Sequence, residues 1–272
     1  MLDHSTAGNA LTAIQKAFGK QAIHYDQDDY ANPILNHWRH QVYRHVDRFL
    51  TPGNRILELN AGTGIDALYF AQAGHPVHAT DISPGMIRKI KEKIDQFHLD
   101  ELVTVQDCSF ESLHLVQQQK FDYIFSNFGG LNCCSDLGSV AKPLPQLLNK
   151  GGYVTWVIMP PVCPWELAGI FKGNKAAFRR LMKGGTTAYL EGETFMTYYH
   201  SLSIIRQKLG RHFQFLKAEG LGALSPPPSS LKFSMTYPKT AFFLEKINQW
   251  LRMSFPFNRC ADHIIVTFQY CP

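Results

Sequence analysis

The chain has no long hydrophobic run, no dense block of positive charge and no paired-cysteine motif. Its longest apolar stretch, Tyr153 to Met159, ends at Pro160-Pro161, far short of the ~20 residues that span a bilayer as a helix. The six cysteines, at 108, 133, 134, 163, 260 and 271, contain no C-x-x-C. That excludes the usual zinc and dithiol frameworks and leaves thiols suited to a reducing compartment. The formal charge is +5, but the densest basic run, Arg88-Lys-Ile-Lys-Glu-Lys93, is interrupted by Glu92 and followed by Asp95. Such a run reads as a solvated helix face, which argues against a nucleic-acid partner. No signal-peptide pattern, repeat or low-complexity tract is visible. The expectation is a soluble cytoplasmic protein without a membrane partner, and nothing in the sequence fixes its oligomeric state.

What the chain does have is one organising stretch, Arg55 to Ala73. Ile56 to Leu59 is a short apolar run carrying a carboxylate at Glu58, the pattern of a buried parallel strand. Asn60-Ala61-Gly62-Thr63-Gly64 then supplies small residues for a sharp turn, and Ile65, Leu68, Tyr69 and Phe70 follow at helical spacing. A strand, tight turn and helix place free amides at a strand's carboxyl end, where a ligand can sit. Taken alone, the glycines could serve only to pack helix on sheet. Gly62, Gly64 and Ala67 also fit the dinucleotide pattern G-x-G-x-x-G/A, with Asp81 as a downstream acid.

Strands and helices alternate from there. Pro76 to Thr80 closes on Asp81-Ile82, and an acid at such a place can accept hydrogen bonds from both hydroxyls of a ribose. Ser83-Pro84 opens a helix over 84 to 97 with Met86, Ile87, Ile90, Ile94 and Phe97 as its apolar stripe. Strands over Leu102 to Gln106 and Phe121 to Phe125 end at Asp107-Cys108 and Ser126-Asn127, and a broken helix over Leu137 to Lys150 leads to the fifth strand, Tyr153 to Met159. Upstream lie a short helix over Ala10 to Phe18 and a longer one from Asn32-Pro33 to Leu50. Downstream come helical stretches over Leu167 to Lys172 and Lys175 to Lys183, an aromatic-rich segment to His200, a helix over 201 to 211, a strand over Phe213 to Ala218, a helix over 240 to 253 and a strand over His263 to Tyr270.

The strings Glu58 to Gly64, Thr80-Asp81-Ile82-Ser83, Phe121-Asp122 and Leu147 to Gly152 together resemble the successive motifs of class I S-adenosylmethionine-dependent methyltransferases, across residues 55 to 160. Phe125 to Cys133, Cys163 to Glu166 and Pro226 to Pro228 look like a bacterial small-molecule branch of that family. The resemblance implies an α/β, doubly wound, mostly parallel seven-stranded sheet with helices on both faces, an antiparallel seventh strand and a small cap insertion. It divides the chain into a cofactor-covering segment (1–54), the core (55–159), the cap (160–199) and a return to the core (200–272).

For the cofactor, S-adenosylmethionine, the resemblance implies Glu58, Asn60, Ala61, Gly62 and Gly64 at the methionine and ribose end. Asp81, Ile82 and Met86 fall to the ribose and adenine, Asp107 and Cys108 to the adenine, Ser126 and Asn127 to the acceptor side, and Tyr25 to a lid. Asn60 departs from the usual glycine, but asparagine tolerates left-handed backbone well. Should the acceptor need to lose a proton, His200 is the first candidate base, then Tyr199 and His37. Asn132, Trp165 and Tyr198 are the expected pocket residues. Adjacent Cys133 and Cys134 point in different directions, so no metal site is expected. An aromatic cap with few clustered charges favours a small, neutral, aromatic or apolar acceptor. The competing readings are an NAD(P)-dependent oxidoreductase and a non-catalytic S-adenosylmethionine-binding protein.

Overall fold

The alternation of short apolar strands with amphipathic helices folds as a three-layer sandwich. The computed structural model describes residues 4–116, 120–172, 175–182 and 184–272. Helices α1 (His4–Gln21), α2 (Tyr25–Ala31) and α3 (Pro33–Val46) lead into β1 (Ile56–Leu59), α4 (Ile65–Gln72), β2 (Val77–Asp81), α5 (Pro84–Phe97), β3 (Val103–Asp107), β4 (Phe121–Ser126) and β5 (Leu148–Ile158). A hairpin of β6 (Thr186–Leu190) and β7 (Glu193–Thr197) follows, then β8 (Phe213–Leu221) and β9 (His263–Tyr270).

The main sheet has seven strands in the order β3-β2-β1-β4-β5-β9-β8. Strands β1 to β5 are parallel, and β9 runs antiparallel between β5 and β8. This matches the expected topology and differs from the all-parallel dinucleotide sheet at its last strands. Alternate side chains feed two cores: Leu57, Ile124, Trp156 and Ile264 on one face, Ile56, Phe125, Val157 and Ile265 on the other. Period-two alternation with both faces buried is what a covered parallel sheet requires.

The helix starts behave as their residues dictate. Pro33 opens α3, and the Asn32 Oδ1 accepts from the Ile34 and Leu35 amides at 3.1 and 3.2 Å. Ser83 caps α5 through the Met86 amide at 3.4 Å. Each cap contributes about 1 kcal/mol. Helix α1 is longer than expected and crosses α5 so closely that a Cβ on Gly85 would stand 2.7 Å from the Gly19 carbonyl. In the cap region, α-helix Pro164–Ala168 is followed by 3-10 turns at Gly169–Lys172 and Lys175–Leu181. Lys183, the expected end of that stretch, lies outside the described residues.

Candidate active site

The turn after β1 sits at the carboxyl edge of the sheet with Asn60, Gly62 and Gly64 all at positive φ (48°, 58° and 81°). Asp81, one strand over, holds this turn and its own helix start together. Its Oδ2 accepts from the Gly62 amide and its Oδ1 from the Ser83 amide, each at 2.9 Å. A cavity of about 250 Å³ opens above them, lined at this end by Asn60, Gly62, Asp81, Ile82, Met86 and Cys108. A Cβ built on Gly62 meets nothing within 4 Å, so the space over the turn is open. Burial pushes the Asp81 carboxyl up to about 6 although the Ser83, Gly62 and Ile82 amides favour its charge.

Five residues expected at the cofactor stand away from the lining of this cavity. Glu58 is buried beneath the turn with Oε2 unpartnered, and burial, then repulsion from Asp66, keeps it protonated well above the usual range. Gly64 caps α4, where a Cβ would press on Ile90 at 3.1 Å. Ser126 is spent on Asn60, donating to its Oδ1 at 2.8 Å. Asp107 is exposed, and the wall there is made by Cys108 and Phe110. Ala61 faces a small adjoining cavity of about 40 Å³ shared with Tyr25, Arg39 and Asp66.

Helix α2 is bolted over this end. Thr63 donates to Asp26 at 2.5 Å, and Lys93 reaches both Asp26 and the Thr63 carbonyl. Buried Arg39 bonds Asp66 and Asp29 at 2.5 Å each, while Tyr43 and Asn127 donate to Asp66 at 2.6 and 2.9 Å. Tyr25 lines both cavities, and Ile14 and Phe18 of α1 add a wall that the sequence reading did not assign.

Towards β4, β5 and the hairpin the lining turns apolar: Phe128, Gly129, Cys133, Met159 and Phe195, with Asn127 at the border. Phe128 and Gly129 both take positive φ, 44° and 75°, which bends the chain after Asn127 across the cavity. Burial pushes the Cys133 thiol up to about 12, so it is an uncharged wall.

The expected acceptor-side residues mostly do other work. His200 is buried with Nε2 2.9 Å from the Cys134 carbonyl, so that nitrogen carries the proton and donates it, and burial lowers the pKa of the ring despite this bond. Tyr199 lies under the Arg180 guanidinium at 5.3 Å, with its hydroxyl against Thr186. His37 is engaged by Glu245 and Gln41. Asn132 is fully buried and spends its carboxamide on the Met159 and Tyr198 backbones. The Tyr198 ring packs over Gly185. Trp165 meets Phe233 edge-on, ring centroids 5.3 Å apart, and bonds Ser230. None of these six lines the described cavity.

A dyad not foreseen stands at the same edge. Because β9 is antiparallel, its first residue, His263, reaches the carboxyl end of β5, where Ile264 pairs with Ile158. His263 Nδ1 lies 2.7 Å from Asp262 Oδ1, and Arg180 holds the other Asp262 oxygen at 2.9 Å and Glu166 at 2.7 Å. Burial pushes Asp262 up, but His263 and Arg180 more than reverse this and leave it below the usual carboxylate range. His263 Nε2 lies 3.3 Å from where a Gly129 Cβ would be, as does the Met159 methyl. Cys163, Glu166 and Asp262 converge as a metal site would, but Arg180 already supplies the cation between the two carboxylates.

Residues 56–152 match the family described as methyltransferase domain. The demethylmenaquinone methyltransferase of Tropheryma whipplei is 29% identical over 158 residues, covering 54% of this chain and 62% of the relative. The chain thus matches less than two thirds of that relative's length. Among solved structures, the CcbJ methyltransferase from Streptomyces caelestis superposes with a TM-score of 0.59 at 17% identity, covering 94% of this chain and 98% of that one. The 1,6-didemethyltoxoflavin-N1-methyltransferase of Burkholderia thailandensis, with S-adenosylhomocysteine bound, gives 0.56 at 14%, covering 100% and 92%. At such identities these two show the shared fold. The core is thus similar in sequence to a methyltransferase domain over residues 56–152 and shares the fold of these methyltransferases.

The residues of the matched segment fit S-adenosylmethionine as a cofactor. Open space over Gly62, a carboxylate at the end of β2 and the apolar Ile82, Met86 and Phe110 beyond it form a graded cradle, polar at the turn and greasy towards β3.

Proposed function

We propose that the chain moves a methyl group from S-adenosylmethionine to a small aromatic or apolar acceptor. One observation carries this reading: a single cavity joins the Gly62 and Asp81 cradle to an apolar end walled by Phe128, Met159 and Phe195. The Tropheryma relative is named for demethylmenaquinone, and an acceptor of quinone type suits such walls.

The bound cofactor supplies an electrophilic methyl group. The chain's contribution is positioning and exclusion of water, with α2 held shut over one end by Asp26, Thr63 and Lys93. If the acceptor must lose a proton, the candidate to take it is His263, whose Nε2 stands directly behind Gly129, just outside the cavity lining. Its Nδ1–H is anchored on Asp262, so Nε2 is free to accept, and the imidazolium so formed is paired with that carboxylate.

Calorimetric titration with S-adenosylmethionine, S-adenosylhomocysteine and NADH tests the reading. Micromolar binding of the first two, weakened roughly 100-fold in Asp81→Ala, is expected when two hydrogen bonds to a charged group are lost. Binding of NADH alone would refute it. An acceptor screen led by quinols and phenols then reads methyl transfer directly.

A further inference from the structure

Helix Pro238–Leu251 carries apolar side chains on its outer face as well as its inner one, where Ala241, Leu244, Ile247 and Leu251 are partly buried. At 100° per residue, Lys239, Phe242, Phe243, Lys246 and Trp250 fall within one stripe about 100° wide. That stripe faces solvent: Phe242, Phe243 and Trp250 are 63%, 62% and 81% exposed. The opposite side faces the body. There Asn248 is buried and accepts from the Ala223 and Leu224 amides, and Glu245 bonds His37 and Gln41. Met235, Tyr237, Met253 and Phe255 extend the exposed patch at both ends of the helix. By contrast α5 turns Met86, Ile90 and Ile94 inward, as a surface helix ordinarily does.

Contiguous exposed apolar surface of this kind marks an interaction face. Its charge identifies the partner. Lys232, Lys239, Lys246 and Arg259 are exposed between residues 228 and 260, whereas Arg252 pairs with buried Glu219 and the one acid there, Glu245, is turned to the body. Lys246 rides over the Phe242 ring at 4.8 Å and Arg259 over Phe255 at 5.5 Å, so cations and aromatics are interleaved. Tryptophan and phenylalanine flanked by lysine and arginine are the composition of a helix lying in a bilayer interface.

We propose that this face docks the protein on an anionic phospholipid surface. No helix among the described residues is long and apolar enough to cross a membrane, so the contact is peripheral and reversible. This departs from the expectation of no membrane partner, which rested on the lack of a spanning segment. The proposal goes beyond the methyl-transfer reading and holds whatever the acceptor is.

Flotation with phosphatidylcholine vesicles, with and without phosphatidylglycerol, tests it on the full chain. The wild type is expected to float with the phosphatidylglycerol vesicles and at least tenfold less with phosphatidylcholine alone. A Phe242→Ser, Phe243→Ser, Trp250→Ser variant is expected to lose flotation, and Lys239→Glu with Lys246→Glu to lose the preference for phosphatidylglycerol. All five side chains are solvent-exposed, so little change in thermal midpoint is expected, and the lysine variant stays informative if the triple variant is unstable. Failure of the wild type to float on either vesicle overturns the proposal. So does a wild-type dimer in sedimentation equilibrium that the triple variant abolishes while flotation is absent, since the patch would then cover a second copy.

Discussion

The two ends of the cavity, proposed to take the cofactor and the acceptor, share one sheet edge but are made of different materials. Over β1 and β2 the site is backbone amides, a carboxylate and a lid held by Asp26, Lys93, Arg39 and Asp66, residues that bond one another across α2, α3, α4 and α5. Over β4, β5 and the hairpin it is aromatic and sulfur-bearing wall, with Asn127 and Thr197 as its polar side chains and the His263 and Asp262 dyad standing behind Gly129. A polar cradle suits a ligand with fixed hydrogen-bonding groups, whereas an apolar wall selects by shape and excludes water. The difference teaches that affinity for the cofactor and choice of acceptor are separable here.

The sharpest way to break the comparison is at the dyad. His263→Ala is expected to lower turnover of an acceptor that must be deprotonated by about 10²- to 10⁴-fold, the usual worth of a positioned base. Cofactor binding should stay intact. His200→Gln, which keeps a donor for the Cys134 carbonyl, should turn over like wild type. Turnover of such an acceptor by His263→Ala within about threefold of wild type would remove the dyad from the mechanism.

Next in size is the lid. Arg39→Ala leaves Asp66 and Asp29 buried without their cation, and breaking a buried pair in this way costs about 3–5 kcal/mol. The urea midpoint should fall at unchanged slope, and cofactor affinity should fall with it because Asn127 and Tyr43 lean on the same Asp66. A midpoint within error of wild type would show that the cluster does not hold the lid.

The cofactor half was far more legible in the sequence than the acceptor half, for a physical reason. Glu58 to Gly64, Asp81 and the helix over 84 to 97 are stretches whose local geometry is fixed by glycine, by a cap and by strand periodicity, and the strand, turn and helix they form are those expected, although Glu58 and Gly64 support the turn rather than line the cavity. Asp262 meets Arg180, and His263 meets Gly129, only through folding, from more than 80 residues away in each case. His200 sits beside the aromatics that suggested it, yet its ring is consumed by a backbone carbonyl. The β6 and β7 hairpin did leave a signal: Glu191 and Gly192 take φ of 51° and 81° between alternating residues, the turn a tight hairpin demands.

Acidification separates the two ends by a smaller effect. With its carboxyl raised to about 6, Asp81 is ionised at neutral pH and gains a proton as pH falls through that value. Accepting two ribose hydroxyls needs the carboxylate, so cofactor affinity should be level above pH 6 and fall roughly tenfold per unit below it. The same raised value means that the cofactor-free fold is favoured at this residue in acid, so stability and affinity move oppositely. Calorimetry across pH 5 to 8 checks this, and an affinity flat to pH 5 would contradict it.

The smallest expected effect tests how the two ends are joined. Asn60 carries its side chain across to the β4 turn, taking the Ser126 hydroxyl at 2.8 Å, and its amide nitrogen lies 2.3 Å from where a Cβ on Gly130 would be. Asparagine at 60 therefore requires glycine at 130. Gly130→Ala alone should cost about 1–3 kcal/mol by overpacking, whereas Asn60→Gly alone should cost about 1 kcal/mol for the lost hydrogen bond. Together they should cost less than their sum, because removing the asparagine opens the space that the new methyl needs. A double-mutant cycle from urea denaturation reads this coupling. Additive costs would mean that the turn after β4 yields by itself, and that the polar cradle and the apolar wall meet at Asn60 without depending on each other.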